Sequence, residues 1–261
     1  MIFLKLGGSL ITDKNQPETP RLDVLHRVAH EIAAARASQP GFQLLLGHGS
    51  GSYGHQAASH YRTHLGAASQ AEWLGFAEVW RVANLLNRLV VDAMLEAGMP
   101  AISFPPSASA VTQAGEIVEL AAEPIARALS TGLLPVVAGD VAFDRHRGST
   151  IVSTERVFAR LAESLRPTHL LLAGVDRGVF ADYPENTRIF DRLRESDLRP
   201  STITGSAATD VTGGMANKVR HALAMAREVP GLQVRIFSGA EPGAIQAALT
   251  GEPVGTLILP E

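Results

Sequence analysis

Three lysines are the residues whose chemistry stands out first in this chain. Of its 23 basic residues, only Lys5, Lys14 and Lys218 are lysines, and the rest are arginines. All three lie in segments rich in Gly, Ser or Thr, which read KLGGS, ITDK and TGGMANK. A compact, mobile ammonium group suits a phosphoryl group whose charge moves during reaction, whereas the planar fork of arginine suits fixed bidentate pairing. We therefore expect the three lysines to serve a transferring phosphate, and a compositional bias is the alternative.

The first lysine segment ends a short apolar run. Gly7, Gly8 and Ser9 follow the residues IFLKL. Because paired glycines lack Cβ atoms, backbone N–H groups can approach an anion closely. The segment therefore predicts a phosphate-binding turn, although a plain tight turn has the same composition.

A second glycine-rich loop, residues 47–55, follows the next apolar run, QLLLG. Gly49, Ser50, Gly51 and Gly54 lie in it, and such spacing permits a tight loop around a phosphate. The Gly-Lys-Ser/Thr ending of a Walker A loop is missing, and so are the N-terminal βαβ start and the ribose-binding acid of a dinucleotide fingerprint. The loop is therefore predicted to bind a phosphate group, but neither as a Walker A loop nor as a dinucleotide-binding loop.

His55 closes that loop and is the candidate for contact with an acceptor molecule. Imidazole donates a hydrogen bond to phosphate near neutral pH and can become cationic. His48 precedes the glycines, and its position predicts a structural role.

Two acidic residues also follow apolar runs. Gly139 and Asp140 come directly after LPVVA, and Asp176 comes after LLLAG. Asp140 suits an indirect hold on Mg²⁺ or the orientation of a lysine, while an Asx-turn fits its spacing almost equally well.

The third lysine lies where a loop of small residues enters a predicted helix. Residues 210–218 read DVTGGMANK, with Gly213 and Gly214 before Lys218. A cation near a helix N-terminus is unfavourable by a few tenths of a kcal/mol, whereas an anion there is favoured. A phosphate held between the helix and Lys218 accounts for both features, and a purely structural lysine is the alternative.

Short apolar runs alternate with helical stretches along the whole chain. The runs begin at Ile2, Gln43, Ala101, Leu134, His169, Val234 and Gly255, and the predicted helices cover 22–36, 70–96, 122–129, 155–165, 214–227 and 242–249. Runs of this length and character predict strands buried on both faces. The alternation predicts an α/β fold, a three-layer α/β/α sandwich with a mainly parallel sheet, whose ligands collect at the carboxyl ends of the strands.

Composition limits the classes of function. With 261 residues, 46% of them apolar, the chain is predicted to form a single domain over 1–261. The absence of cysteine excludes disulfides, thiolate metal sites and cysteine nucleophiles. A net charge of -3 predicts no general attraction for nucleic acid or acidic membranes, and the N-terminal apolar run is too short for a signal or a membrane span. We expect a cytoplasmic protein with a small anionic substrate.

The order KLGGS, glycine loop, GD, VDRGVF and TGGM before Lys218 resembles the amino acid kinase superfamily over nearly the full chain. ITDK and HGSGSYGH look most like the isopentenyl phosphate kinases of that superfamily. The resemblance implies a homodimer whose subunits bind the acceptor with about residues 1–165 and ATP with about residues 166–261. It implies ATP-dependent phosphorylation of isopentenyl phosphate, and of dimethylallyl phosphate, to the diphosphate.

The resemblance also implies roles for single residues. Lys5, Lys14 and Lys218 would serve the transferring phosphate and His55 the acceptor phosphate, with ATP and Mg²⁺ as cofactors and no residue assigned to the metal. The acceptor side would comprise Gly49, Ser50, Gly51, Gly54, His55, Gly139 and Asp140. The ATP side would comprise Lys5, Gly7, Gly8, Ser9, Lys14, Asp176, Gly213, Gly214 and Lys218.

An isoprenoid acceptor also needs an apolar slot. The helix after the histidine loop carries Trp73, Phe76, Val79, Trp80 and Val82, which are candidates to line it. Apolar residues at helical spacing are equally typical of an ordinary core.

Three residues depart from the pattern of the superfamily. Ser50 stands in place of the middle glycine of the commoner HGGG loop, and Arg177 interrupts a VDGVY-like segment. Glu155 stands where relatives carry an aspartate that organises a lysine.

Several alternatives remain open at this point. One is a kinase of the same fold for another small anion such as fosfomycin. Carboxylate kinases and UMP kinases fit the loops less well, and a non-catalytic sensor of nucleotides or anions is a different class of answer.

Overall fold

The computed structural model describes residues 1–39, 41–182, 185–197 and 214–260, except for the side chains of His55 and Gln56. Two sheets are formed within this part of the chain. Their strands are β1 Ile2–Leu6, β2 Leu44–His48, β3 Ala101–Ser103, β4 Ala110–Gln113, β5 Glu116–Leu120, β6 Leu134–Ala138, β7 Asp140–Asp144, β8 Gly148–Val152, β9 His169–Gly174, β10 Arg192–Arg194, β11 Gln233–Ser238 and β12 Thr256–Leu259.

The larger sheet has eight strands in the order β10-β12-β11-β9-β1-β2-β6-β3. Neighbouring strands are parallel except for β11 and β12. Lys5 of β1 lies opposite Gly47 of β2 and Leu172 of β9. The glycine loops after β1 and β2 therefore leave the sheet side by side at its carboxyl edge.

Helices cover both faces of this sheet. They are α1 Gly8–Ile11, α2 Leu22–Ser38, α3 Gly51–Tyr61, α4 Gln70–Glu96, α5 Pro106–Ser109, α6 Ala122–Ser130, α7 Thr154–Leu165, α8 Gly214–Glu228 and α9 Ala244–Leu249. One core cluster joins Leu4 and Leu46 to α2, α4 and α9, and another joins Phe3 and Leu45 to α6, α7 and α8. Alternate residues of each central strand thus pack on opposite faces, which confirms the predicted three-layer α/β/α sandwich.

The smaller sheet was not predicted from the sequence. It has four strands in the order β5-β4-β7-β8, and residues 145–147 form the turn of the β7–β8 hairpin. Asp144 holds this turn because its carboxylate accepts backbone hydrogen bonds from Gly115, His146 and Arg147 at 2.7–2.9 Å. Buried hydrogen-bonded carboxylates of this kind stabilise turns that lack an apolar signal.

Two large apolar residues of the predicted helices are exposed. Leu22, the first residue of α2, is 45% exposed, and Trp80 of α4, one of the candidates to line the apolar slot, is 44% exposed. The apolar residues Leu25, Val28, Ala29 and Ile32 form the buried face of α2. In the described part of the chain no helix is long and apolar enough to cross a membrane.

Candidate active site

Lys5 forms an ion pair with Glu155 at the carboxyl edge of the large sheet. Their side chains are only 13% and 18% exposed, and Glu155 belongs to the first turn of α7, after the N-cap Ser153. Burial would raise the pKa of Glu155, but the charge and the hydrogen bond of Lys5 outweigh it, so the pKa is lowered. Glu155 is therefore a carboxylate that fixes the ammonium group of Lys5, as its place in the sequence predicted.

An open cleft of about 360 Å³ lies beside this ion pair. Its lining comprises Lys5, Gly7, Glu155, Leu172, Ala173, Gly174, Asp176, Met215, Lys218, Ile236 and Phe237. A Cβ atom on Gly174 would lie 3.8 Å from Lys218 Nζ, so the second ammonium group reaches the carboxyl end of β9. Two lysines, a glycine turn and apolar walls thus share one cleft, a combination suited to a nucleotide with its phosphates.

The two glycine loops touch each other backbone to backbone. A Cβ atom on Gly8 would lie 2.4 Å from the backbone nitrogen of Gly51, and one on Gly49 would lie 2.9 Å from that of Gly8. Real Cβ atoms do not approach backbone so closely, so glycine is required at both positions. The loops after β1 and β2 therefore pack so closely that neither glycine has room for a Cβ atom.

Helix α3 starts directly from the second glycine loop. Gly51 is its first residue and adopts a φ of 53°, which favours glycine. Gly54 is also constrained, because a Cβ atom there would lie 2.6 Å from the Cβ of Ser50. His55 lies in the second turn of α3, but its side chain is outside the described part of the structure.

His48 is a buried neutral side chain beneath the loops. It is 1% exposed, and its Nδ1–H donates to the Gly49 carbonyl at 3.2 Å. Burial lowers the pKa of His48 to about 4, with the charge of Lys5 adding to the effect and the Gly49 bond opposing it. Among the described residues no partner is found for its buried Nε2. These contacts agree with the structural role that the sequence predicted.

Gly139 and Asp140 line a separate small pocket of about 170 Å³. Its other lining residues are Ala83, Asn84, Asn87, Pro105, Pro106 and Ala138. Asp140 is 4% exposed and accepts from the backbone of Val141 at 2.8 Å and of Ser107 at 3.3 Å. Burial raises the pKa of Asp140 to about 6, and those hydrogen bonds oppose the rise. The described contacts of Asp140 are thus those of a group that stabilises a turn and the start of α5.

The same pocket is connected through α7 to the glycine loop at residues 47–55. A Cβ atom on Gly139 would lie 3.7 Å from the backbone nitrogen of Thr154. The hydroxyl of Thr154 donates to the His48 carbonyl at 2.6 Å. The ends of β2 and β6 and the start of α7 therefore meet at one point.

An aromatic cluster stands between α3, α4 and the β7–β8 hairpin. Trp73, Phe76 and Phe143 have ring centroids 5.1–6.0 Å apart, and Val79 and Val141 pack beside them. Three of the five slot candidates, Trp73, Phe76 and Val79, thus share this cluster. Val82 lies in the main core, and Trp80 faces outwards.

Only some of the predicted site residues line a common cleft. Lys5, Gly7, Asp176 and Lys218 line the cleft of 360 Å³, whereas Gly8, Ser9, Lys14 and Gly214 are described but do not line it. Gly213 and the rest of the loop at 206–213 lie outside the described residues. Lys14 is exposed in the segment between α1 and α2.

Sequence reasoning missed several residues near these sites. Met215 and Phe237 line the large cleft, and Asn84 and Asn87 line the small pocket. Met215 follows the predicted TGG signal directly and could have been inferred from it, but the asparagines carry no motif. Thr12, inside ITDK, was passed over in favour of its neighbour Lys14.

The residues present fit Mg²⁺ that arrives with a nucleotide better than a metal held by the protein alone. In the described parts of the chain no group of three or more His, Asp or Glu side chains is close enough to hold a metal ion. Glu155 is occupied by Lys5, which leaves Asp176 as the other acidic residue of the large cleft. Phosphate oxygens would have to supply most ligands of the ion.

The fold and these loops define a kinase family. The amino acid kinase family model matches residues 1–238, and the chain belongs to that family.

Within it, the chain is similar to isopentenyl phosphate kinases. It is 37% identical to the enzyme of Methanothermobacter thermautotrophicus strain Delta H over 99% of this chain and 98% of the relative. It is 31% identical to that of Methanocaldococcus jannaschii over the same shares. A crystal structure of isopentenyl phosphate kinase superposes with a TM-score of 0.83, with 33% identity and coverage of 99% of this chain and 100% of that one.

Proposed function

We propose that this protein transfers the γ-phosphoryl group of ATP to isopentenyl phosphate, and to dimethylallyl phosphate, and so forms the diphosphate and ADP. The observation that carries the proposal is the meeting of Lys5 and Lys218 in one cleft beside two glycine loops in backbone contact. The similarity to isopentenyl phosphate kinases over 99% of the chain supports the choice of acceptor.

The large cleft suits the nucleotide. Apolar side chains such as Met215 and Phe237 offer surfaces for a base and a ribose, while Lys5 and Lys218 face the phosphates. Residues from about 166 onwards supply most of this lining, in keeping with an ATP-binding C-terminal half of a single domain. Mg²⁺ would arrive on the phosphates of ATP and neutralise part of their charge.

The loop at residues 47–55 suits the phosphate of the acceptor. It lies against the turn at Gly8, so a phosphate bound there would lie next to the transferring phosphoryl group. His55, on the second turn of α3, is the residue we assign to hydrogen bonding with that phosphate. Gly139 and Asp140 complete the acceptor side from the neighbouring strand.

The aromatic cluster of Trp73, Phe76 and Phe143 supports an isoprenoid acceptor. It lies between α3 and the β7–β8 hairpin, both of which leave the carboxyl edge of the sheet. A five-carbon chain extending from the glycine loop along α3 would meet apolar rings there. A charged acceptor such as glutamate would find no such benefit.

Positioning and charge neutralisation account for the chemistry. The acceptor oxygen is already ionised, so no strong general base is needed for its attack on the γ-phosphorus. Lys5, held by Glu155, and Lys218 would stabilise the charge that spreads over the transferring group, with Lys14 approaching from the loop after α1. The homodimeric state and the cytoplasmic location remain predictions from the sequence.

A substrate panel tests the proposal. ADP release would be measured with Mg²⁺ and ATP and with isopentenyl phosphate, dimethylallyl phosphate, fosfomycin, glutamate or UMP. We expect kcat/KM to be highest for the two isoprenoid phosphates, and a higher value for another acceptor would overturn the assignment.

A matched pair of variants separates catalysis from folding. Lys218→Ala should abolish turnover, whereas Arg220→Ala, an exposed residue of the same helix, should retain it. Turnover of the Lys218→Ala variant at the wild-type rate would contradict the assignment of the lysine. Nucleotide binding by the wild-type protein with no turnover of any acceptor would favour a non-catalytic sensor.

A further inference from the structure

A buried hydroxyl joins the two glycine loops. Thr12 is 0% exposed, and its Oγ1 donates to the Gly8 carbonyl at 2.8 Å and accepts from the Ser52 backbone N–H at 2.9 Å. Gly8 belongs to the loop after β1, and Ser52 belongs to the loop after β2. One side chain therefore bonds to both loops at once.

The Ser52 amide depends on this contact. It is one of the first N–H groups of α3, which have no carbonyl partner within their own helix. Ser50, the N-cap of α3, makes no side-chain capping bond. Thr12, 40 residues away, thus supplies the cap that the helix would otherwise take from its own sequence.

The hydroxyl lies directly against Gly51, where there is no room for a side chain. A Cβ atom on Gly51 would lie 2.1 Å from Thr12 Oγ1 and 2.9 Å from the Gly8 carbonyl. The distance between the two loops is therefore set by direct contact together with the hydrogen bonds of Thr12. A shift of one loop requires a shift of the other.

The same contacts hold the segment that carries Lys14. Ser52 Oγ accepts from the Thr19 N–H at 3.3 Å, and the Asp13 N–H donates to the Thr19 carbonyl at 2.9 Å. Thr12 also forms an antiparallel bridge with Pro20. Residues 12–20 are thereby closed into a turn that is pinned to the first turn of α3.

We propose that Thr12 is a positioning residue that fixes the donor loop, the acceptor loop and the Lys14 segment relative to one another. The inference rests on the proposed function in that the two loops hold the donor and acceptor phosphates. Displacements of about 1 Å between reacting groups can reduce rates about 100-fold, so a contact that sets this distance acts on kcat more than on binding.

Substitutions at Thr12 test the role of the hydroxyl. Thr12→Val keeps the shape but removes both hydrogen bonds, and we expect kcat to fall about 10–100-fold while KM for ATP and acceptor changes less than about 3-fold. Thr12→Ser keeps the hydroxyl and should recover kcat to within about 3-fold of wild type. The control is Thr112→Val, since Thr112 is also 0% exposed. Its hydroxyl bonds to the backbone carbonyl of Phe143 and to the carboxylate of Asp144, away from the two glycine loops. This control should lower Tm and leave kcat unchanged.

A double-mutant cycle tests the connection to Lys14. If Thr12 acts through the placement of Lys14, then Thr12→Val should lower kcat less than about 3-fold in a Lys14→Ala background. An undiminished loss in that background would overturn this part of the inference. Equal losses of kcat in Thr12→Val and Thr112→Val would overturn the positioning role altogether.

Hydrogen exchange provides a measurement that does not depend on the acceptor. In Thr12→Val the backbone amides of residues 7–14 and of residues 49–54 should exchange at least about 10-fold faster, and in Thr112→Val they should not. Unchanged exchange in either loop would refute the coupling. A failure of the proposed function would instead appear as a wild-type protein that does not phosphorylate isoprenoid phosphates, while Thr12→Val still shows the faster exchange and Thr112→Val does not.

Discussion

Lys5 of the first strand and Glu155 of α7 form a partly buried ion pair at the edge of the large cleft. The two residues are 150 positions apart in the chain, and they are brought together because β1 and the start of α7 meet at the carboxyl edge of the sheet. The ammonium group of a lysine lies at the end of a flexible four-carbon chain, so it needs an ion-pair partner to stay in one position. The pair therefore converts a mobile cation into a fixed one.

Glu155→Gln should reduce kcat by about 10–100-fold. A hydrogen bond to a charged group contributes about 1.5–3 kcal/mol, and its loss leaves Lys5 free to adopt other rotamers. The measurement is steady-state ADP release at saturating substrates. Glu116→Gln is the control, because Glu116 forms an exposed ion pair with Arg156, the neighbour of Glu155 in α7. The kcat of this control variant should equal that of wild type. Full activity in Glu155→Gln would contradict the role of the ion pair.

Gly8→Ala should abolish activity, because the added Cβ would lie 2.4 Å from Gly51 and force the two loops apart. Gly98→Ala is a matched substitution in open space at the end of α4, where a φ of 79° costs roughly 1 kcal/mol for alanine. We expect Gly98→Ala to be slightly less stable in urea unfolding and fully active. A Gly8→Ala enzyme with normal kcat would show that the close contact of the loops is dispensable.

His48 should make folding stability depend on pH. The unfolded side chain titrates near pH 6.5 and the folded one near pH 4, so the unfolded chain binds the extra proton between these values. The contribution of neutral His48 is fully present above pH 6.5 and is lost as the pH falls towards 4, which amounts to about 3 kcal/mol.

Comparison with a His48→Gln variant isolates that contribution. The difference in the free energy of unfolding between wild type and variant should shrink by about that amount from pH 7 to pH 4, because other titrating groups such as Asp140 cancel in the difference. A difference that stays constant over this range would mean that His48 titrates normally in the folded protein.

Phe76→Ala should relax the choice of acceptor chain length. Removing this ring from the aromatic cluster opens space next to Trp73 and Phe143, and pocket size discriminates extra methylene groups by about 10–200-fold. We expect the kcat/KM for a ten-carbon isoprenoid phosphate, relative to isopentenyl phosphate, to rise at least about 10-fold. Trp80→Ala, an exposed aromatic residue on the same helix, should leave this ratio unchanged. If both variants keep the wild-type ratio, the cluster is core and not a wall of the slot.

The sequence predicted the large sheet well because its strands are continuous apolar runs. The strands β2, β6 and β9 are almost entirely buried and β1 is mostly buried, so their apolar runs are nearly continuous, and in β11 the run from Ile236 to Ser238 is buried as well. The smaller sheet escaped because β5 and the β7–β8 turn carry charged residues, and because Asp144 holds the turns through hydrogen bonds that have no sequence signature. The local pattern of apolar residues indicates which strands are buried. It does not indicate which carboxylate accepts a hydrogen bond from an amide that is distant in the chain.

The candidate site was predictable where a motif marked it. Lys5, Asp176 and Lys218 were predicted and line one cleft, since Lys5 lies near the end of β1, Asp176 follows β9 and Lys218 lies near the start of α8. The partnership of Thr12 with Ser52 was not predicted, because it joins two loops that only the fold brings together.

Phosphorus-31 NMR of the reaction between ATP and isopentenyl phosphate tests the central claim most directly. We predict that the single resonance of the monophosphate is replaced by the two coupled resonances of a diphosphate, in step with the appearance of ADP, and that His55→Ala slows this conversion strongly. ATP consumed with release of orthophosphate, or an unchanged monophosphate beside a phosphorylated competitor such as fosfomycin, would contradict the account.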